Sequence, residues 1–306
     1  MPLNKEQADK LKKIAATASI SLALILCLIK GFAVVYTNSL AVLSSMVDSL
    51  SDVFASLVTF LAVNISVKPA SDNYRYGYGK AEALSALFQA GFVAIAGFFI
   101  LYDTILRFKN PVTLTQTNIG LLIMIFSLLA TSALVIFQNI VAKKTSSQAI
   151  SADSLHYRID ILTNLSIIFS LATANFWKIT WLDPLIAGAI STYLLYNAYK
   201  LGLEAINLLL DRELNNNIRL SIFDIIASHP LSPKIHDLRS RDLGGCYLFE
   251  FHLELDGNLN LYTAHKYTEE IEFLIKKVYP NSQIIIHQDP VGIEEDRLDN
   301  KLTKKA

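Results

Sequence analysis

The sequence predicts a membrane protein: an all-α domain of six transmembrane helices, followed by a small α+β domain in water. Three observations lead there. The chain is 52% hydrophobic and 18% charged, with mean hydropathy +0.38, whereas soluble domains carry about 25% charge. Apolar stretches of the ~20 residues needed to cross ~30 Å of hydrocarbon recur from residue 14 to residue 210. Beyond Leu210 charges become frequent, and the apolar spacing alternates between helical and strand-like periods.

The predicted spans are 14–36, 38–66, 81–106, 114–142, 150–177 and 181–209. The first two are separated by a short polar turn, so they form an antiparallel hairpin. Residues 110–142 contain no charge, which makes the fourth span the clearest. Proline in "NP" at 110–111 and "DP" at 183–184 marks turns or first helical turns, because its nitrogen has no hydrogen to donate.

Past the spans, residues 212–228 and 261–279 have helical spacing. In "CYLFEFHLEL", 246–255, Tyr247, Phe249, Phe251, Leu253 and Leu255 make one face, while Glu250, His252 and Glu254 make the other. That period of two is a half-buried strand, and "SQIIIHQD" reads as the last strand. The division expected is an N-terminal segment 1–13, a membrane domain 14–210, a second domain 211–291 and a charged, disordered tail 292–306.

Orientation follows from basic residues in the short connections. Lys5, Lys10, Lys12, Lys13, Lys68, Arg75, Lys80, Lys143 and Lys144 fall on one side, against Arg107, Lys109 and Lys178 on the other. Six spans then place both termini and the second domain in the cytoplasm, with the chain in a plasma membrane, as in a bacterial inner membrane. With 27 basic and 27 acidic residues there is no nucleic-acid footprint. Cys27 and Cys246 form neither a disulfide framework nor a CxxC metal motif.

The informative residues are charges where lipid is expected. From Ile14 to Val67 the formal charges are Lys30, Asp48 and Asp52. Asp48 and Asp52 lie four apart, on one helix face. His156 and Asp160 repeat that spacing in the fifth span. Adjacent carboxylates in a bilayer persist only if protons or a cation neutralise them, although Lys30 or Arg158 could pair with either set. Two helices with two ligands each can converge on a site of three carboxylates and one imidazole, which suits Zn²⁺ and accepts Fe²⁺, Mn²⁺ or Cd²⁺.

The stretches "SLAVLSSMVDSLSD", "YGKAEALSAL", "ADSLHYRIDILTN", "LLDRE", "HDLRSR" and "IIIHQDP" resemble the cation diffusion facilitator family, in particular its bacterial ferrous-iron and zinc efflux branch. The resemblance implies a homodimeric metal/proton antiporter whose cytoplasmic domain is ferredoxin-like. It maps the transport site onto Asp48, Asp52, His156 and Asp160. It also implies a regulatory binuclear Zn²⁺ site at His236, His252, His265, His287 and Asp289, bridging two cytoplasmic domains, and a Lys80–Asp211 interlock between subunits. A further metal site of the family, in the loop between the second and third spans, is not expected. Ser71, Tyr74 and Tyr78 stand where it would have Asp and two His, and tyrosine is a poor zinc ligand.

Two rival readings share these residues. An intramembrane metallohydrolase needs a general base beside an open coordination position, and the chain has no HExxH, GxSxG or P-loop motif. A passive metal channel would use the same ligands without coupling to protons.

Overall fold

The computed structural model describes residues 5–37, 40–109, 118–177, 182–231, 233–293 and 297–303. The chain divides into two compact units, 1–206 and 207–306. The first is built from six long helices: α1 (Lys5–Thr37), α2 (Leu40–Ser66), α3 (Ala81–Lys109), α4 (Asn118–Thr145), α5 (Gln148–Trp177) and α6 (Leu182–Leu209). Among the described residues, Glu6–Ala33, Ser49–Ser66, Ala81–Leu106 and Ile125–Thr145 are long and apolar enough to cross a bilayer.

This unit is inverted relative to a soluble protein. Its interior holds small residues, with Ala15, Ala16, Ala86, Ala149, Ala152 and Ala205 wholly or almost wholly buried, and large apolar side chains such as Leu28, Phe32, Phe98, Phe99, Leu129 and Ile136 point outward. Lipid is as apolar as leucine, so helices in it associate through close backbone approach and interhelical hydrogen bonds. Gly97 marks one such approach, because a Cβ there would lie 3.1 Å from Leu195 of α6.

Polar groups provide the remaining ties. Glu82, at the start of α3, accepts from Lys12 of α1 at 2.9 Å, from Ser66 of α2 at 2.9 Å and from Ser147 just ahead of α5. The α2–α3 connection is a turn in which Ser71 Oγ and Tyr78 Oη are hydrogen-bonded at 2.9 Å and the Tyr74 and Tyr78 rings stack at 4.7 Å.

The second unit contains α7 (Asn216–Ala227), β1 (Ile235–Asp242), β2 (Tyr247–Leu255), α8 (Leu261–Val278), β3 (Ser282–Pro290) and α9 (Leu298–Thr303). The sheet order is β1-β2-β3; β1 pairs antiparallel to β2, and β3 runs parallel to β2 after the α8 crossover. Asn215 and Asn260 cap α7 and α8 through their side-chain oxygens. Phe249, Phe251 and Leu253 of β2 pack against Ile222 and Ile226 of α7 and Ile271 and Ile275 of α8. The even positions of β2 are left on the other face of the sheet.

Where the sequence suggested a disordered tail, the structure has α9. Its first amides, those of Leu298 and Asp299, donate to the Asp237 carboxylate at 2.8 and 2.9 Å, and Asp299 returns the contact by accepting from the Asp237 amide at 2.9 Å. Charge density over the tail reads as disorder, but a reciprocal cap on a β1 residue holds this turn.

Candidate functional site

Two clusters of metal-ligating side chains occur among the described residues. The first is in the helical unit. α2 and α5 pack against each other, and the helical repeat puts Asp52 on one and His156 and Asp160 on the other at the same level. His156 Nε2 lies 3.0 Å from Asp52 Oδ1, and one donor atom from each of Asp52, His156 and Asp160 falls within 4.8 Å of the others. Metal–ligand bonds of about 2.0–2.1 Å separate the donors of a tetrahedron by roughly 3.3 Å, so a small inward movement closes this set on a divalent ion. The fourth expected ligand, Asp48, falls on α2, but its side chain lies outside the described residues. Of the alternative partners for these carboxylates, Lys30 donates to Ser49 at 2.6 Å and Arg158 to Asn139.

The second cluster is a consequence of strand register. His236 of β1 is opposite His252 of β2, which is beside His287 of β3, so three imidazoles form a row across the sheet. One step along, Glu254 pairs with Asp289 on the same face. Asp289 Oδ2 is 2.7 Å from His252 Nδ1 and 3.6 Å from His236 Nε2, and its Oδ1 is 3.1 Å from His287 Nε2. His236 and Asp289 are buried, while the His287 side chain is 67% exposed and so open to solvent or another surface. The donor chemistry fits Zn²⁺ or a similar borderline ion: two imidazoles and a carboxylate in reach of one point, with a third imidazole beside them.

Glu254 and Arg297 were not among the sequence-predicted site residues. Glu254 Oε1 lies 3.2 Å from the second ring nitrogen of His236 and accepts from Arg297 at 2.8 Å. The approach of Glu254 to His236 is a contact of charge and proximity, not a hydrogen bond that fixes the ring's tautomer. Glu254 was legible only as a polar-face residue of β2. Nearby, burial of Asp237 works against its ionisation, but the Asp299 and Leu298 amides, with the adjacent His236, outweigh it and hold that carboxyl below the usual range.

Of the other predicted residues, His265 is not brought into the cluster; it is exposed on α8, 3.5 Å from Glu269 one turn on. Asp211 receives an ion pair from Arg241 at 3.0 Å within the second unit.

A helical membrane domain with a carboxylate–imidazole cluster inside, joined to a small α+β domain with a histidine row, defines a membrane protein that handles divalent metal ions. Residues 16–210 match the cation efflux transmembrane domain, residues 214–291 match the cytoplasmic domain of cation efflux proteins, and the chain belongs to the cation efflux family. The cation-efflux pump FieF of Escherichia coli O127:H6 (strain E2348/69 / EPEC) is 40% identical over 280 residues, covering 91% of this chain and 93% of that protein. The FieF of Escherichia fergusonii matches to the same extent. A solved structure, the metal-bound C-terminal domain of the CzcD transporter from Thermotoga maritima, is 27% identical over 26% of this chain and 93% of that one, with a TM-score of 0.25. The protein is thus a multi-pass membrane transporter for divalent metal efflux, and not an enzyme.

Proposed function

We propose that the protein is a metal/proton antiporter that exports Zn²⁺, Fe²⁺ or both, with Cd²⁺ and Mn²⁺ as further substrates, from the cytoplasm of a bacterial cell. The observation that carries this is the convergence of Asp52, His156 and Asp160 between two membrane helices; Asp48, one turn before Asp52 on α2, is the fourth ligand. All four bind metal only when deprotonated, so metal and protons compete for one site. Loaded from the cytoplasm and turned outward by helix rocking, the site would exchange its ion for protons entering down their gradient. His156, with the ligand pKa ordinarily nearest neutrality, takes a large share of that exchange.

The working form is a homodimer with six spans per subunit and both termini in the cytoplasm. Lys80 and Asp211 contribute to the subunit interlock near the membrane surface. His236, His252, His287 and Asp289 hold a regulatory metal that tightens the dimer. The experiment is metal flux in proteoliposomes under an imposed pH gradient. Flux should grow with the gradient and be abolished in Asp160→Ala. Flux indifferent to the gradient would make the protein a passive channel, and unimpaired exchange by the variant would refute the site.

A further inference from the structure

Three residues before His156 lies a second acid of α5, Asp153, which the transport site does not use. It is 0% exposed. Its Oδ2 accepts from Ser19 of α1 and, at 2.6 Å, from Gln138 of α4. Ser19 is hydrogen-bonded to Ser56 of α2 at 3.0 Å, and Ser56 to Tyr157 of α5 at 2.7 Å. The ring closes on α5, where it began. One donor order satisfies every link: Tyr157 donates to Ser56, Ser56 to Ser19, and Ser19 to the carboxylate. Ser19, Ser56 and Gln138 are fully buried and Tyr157 is 1% exposed, so these bonds are shielded from bulk water.

We propose that Asp153 is a positioning residue for the transport site: it anchors a polar ring that sets the separation of α2 and α5 where they hold the metal. Ser56 follows Asp52 by one helical turn, and Asp153 and Tyr157 flank His156 along α5. Ring and ligands therefore occupy successive layers of the same helix pair. Between apolar helices, sliding is resisted weakly by packing and strongly by hydrogen bonds that have no replacement in lipid. Metal ligands must be held within a fraction of an ångström, and that precision comes from the groups behind them. The Asp153 carboxylate also acts on His156 through space, while its hydrogen bonds run to Ser19 of α1 and Gln138 of α4, so an Asn variant separates charge from helix placement. This inference rests on the assignment of those three residues as the transport site.

The test uses the full-length protein carrying His236→Ala and His252→Ala, so that the transmembrane site dominates binding, with Co²⁺ as the probe. Asp153→Ala should weaken Co²⁺ binding about tenfold or more and change its ligand-field spectrum; Asp153→Asn keeps an acceptor oxygen for Ser19 and Gln138 and should restore both to within about threefold. Original affinity and spectrum in Asp153→Ala would overturn the proposal. So would an Asn variant as weak as the Ala variant, because that result assigns the effect to charge. Should Asp153→Ala fail to fold, Tyr157→Phe opens the ring from its other end: weakened binding supports the proposal and unaltered binding overturns it. Asp52→Ala separates the two levels. If it keeps Co²⁺, the site assignment itself falls; if it loses Co²⁺ while the ring variants bind normally, only the positioning role falls.

Discussion

Glu82 ties α3 to three other segments of the membrane unit, since a single carboxylate takes bonds from Lys12, Ser66 and Ser147. The Lys12 and Glu82 side chains are 11% and 8% exposed. Burying the pair cost both charges their water, and removing one partner strands the other, at about 3–5 kcal/mol. Lys12→Met should therefore lower the thermal midpoint of the detergent-solubilised protein markedly. Lys12→Met with Glu82→Gln should recover much of the loss, because no lone charge is left inside. Equal midpoints for the single variant and the parent would show that the pair is solvated. The same logic explains why Asp52 is tolerated in a helix of otherwise apolar character: His156 is at hand, and a cation can replace the proton between them.

At the scale of elements, α9 and the β1 irregularity act together. The ladder register shifts between His236 and Arg239, and Asp237 inside that shift has φ +53°. Its carboxylate caps α9, and Arg297, just before α9, pairs with Glu254 behind His236. Asp237→Ala should free the α9 turn at about 1 kcal/mol, as for the loss of an N-cap. Amide hydrogen exchange at 298–303 should rise, and metal affinity at the histidine row should drop. Unchanged exchange there would mean α9 is held by other contacts.

Strand periodicity made the inward face of β2 readable in advance, from Phe249 to Leu255. The row His236–His252–His287 was not readable as a row, because register depends on the bulge and on a parallel crossover, and neither has a local signature. Asp48, Asp52, His156 and Asp160 stood out because charge is costly in lipid. Asp153 carries the same signal, but its partners Ser19 and Gln138 come from other helices, and sequence spacing does not show that packing.

For the whole molecule, the two units are stabilised by different physics. The first buries alanine, serine and paired charge and presents leucine and phenylalanine outward; the second buries isoleucine and phenylalanine between a sheet and two helices. Stability of the first unit should therefore respond to its lipid or detergent surroundings, and metal should stabilise each unit that binds it. The proposed transport mechanism needs one cation site between α2 and α5 at which protons displace metal. Its most direct test is the pH dependence of metal affinity in full-length protein with the histidine row silenced by His236→Ala and His252→Ala. Affinity should fall as the pH is lowered over the range in which the protein stays folded, with protons released on binding, and Asp52→Ala with Asp160→Ala should abolish it. Binding that is flat across that range, or that survives the double substitution, would contradict the account.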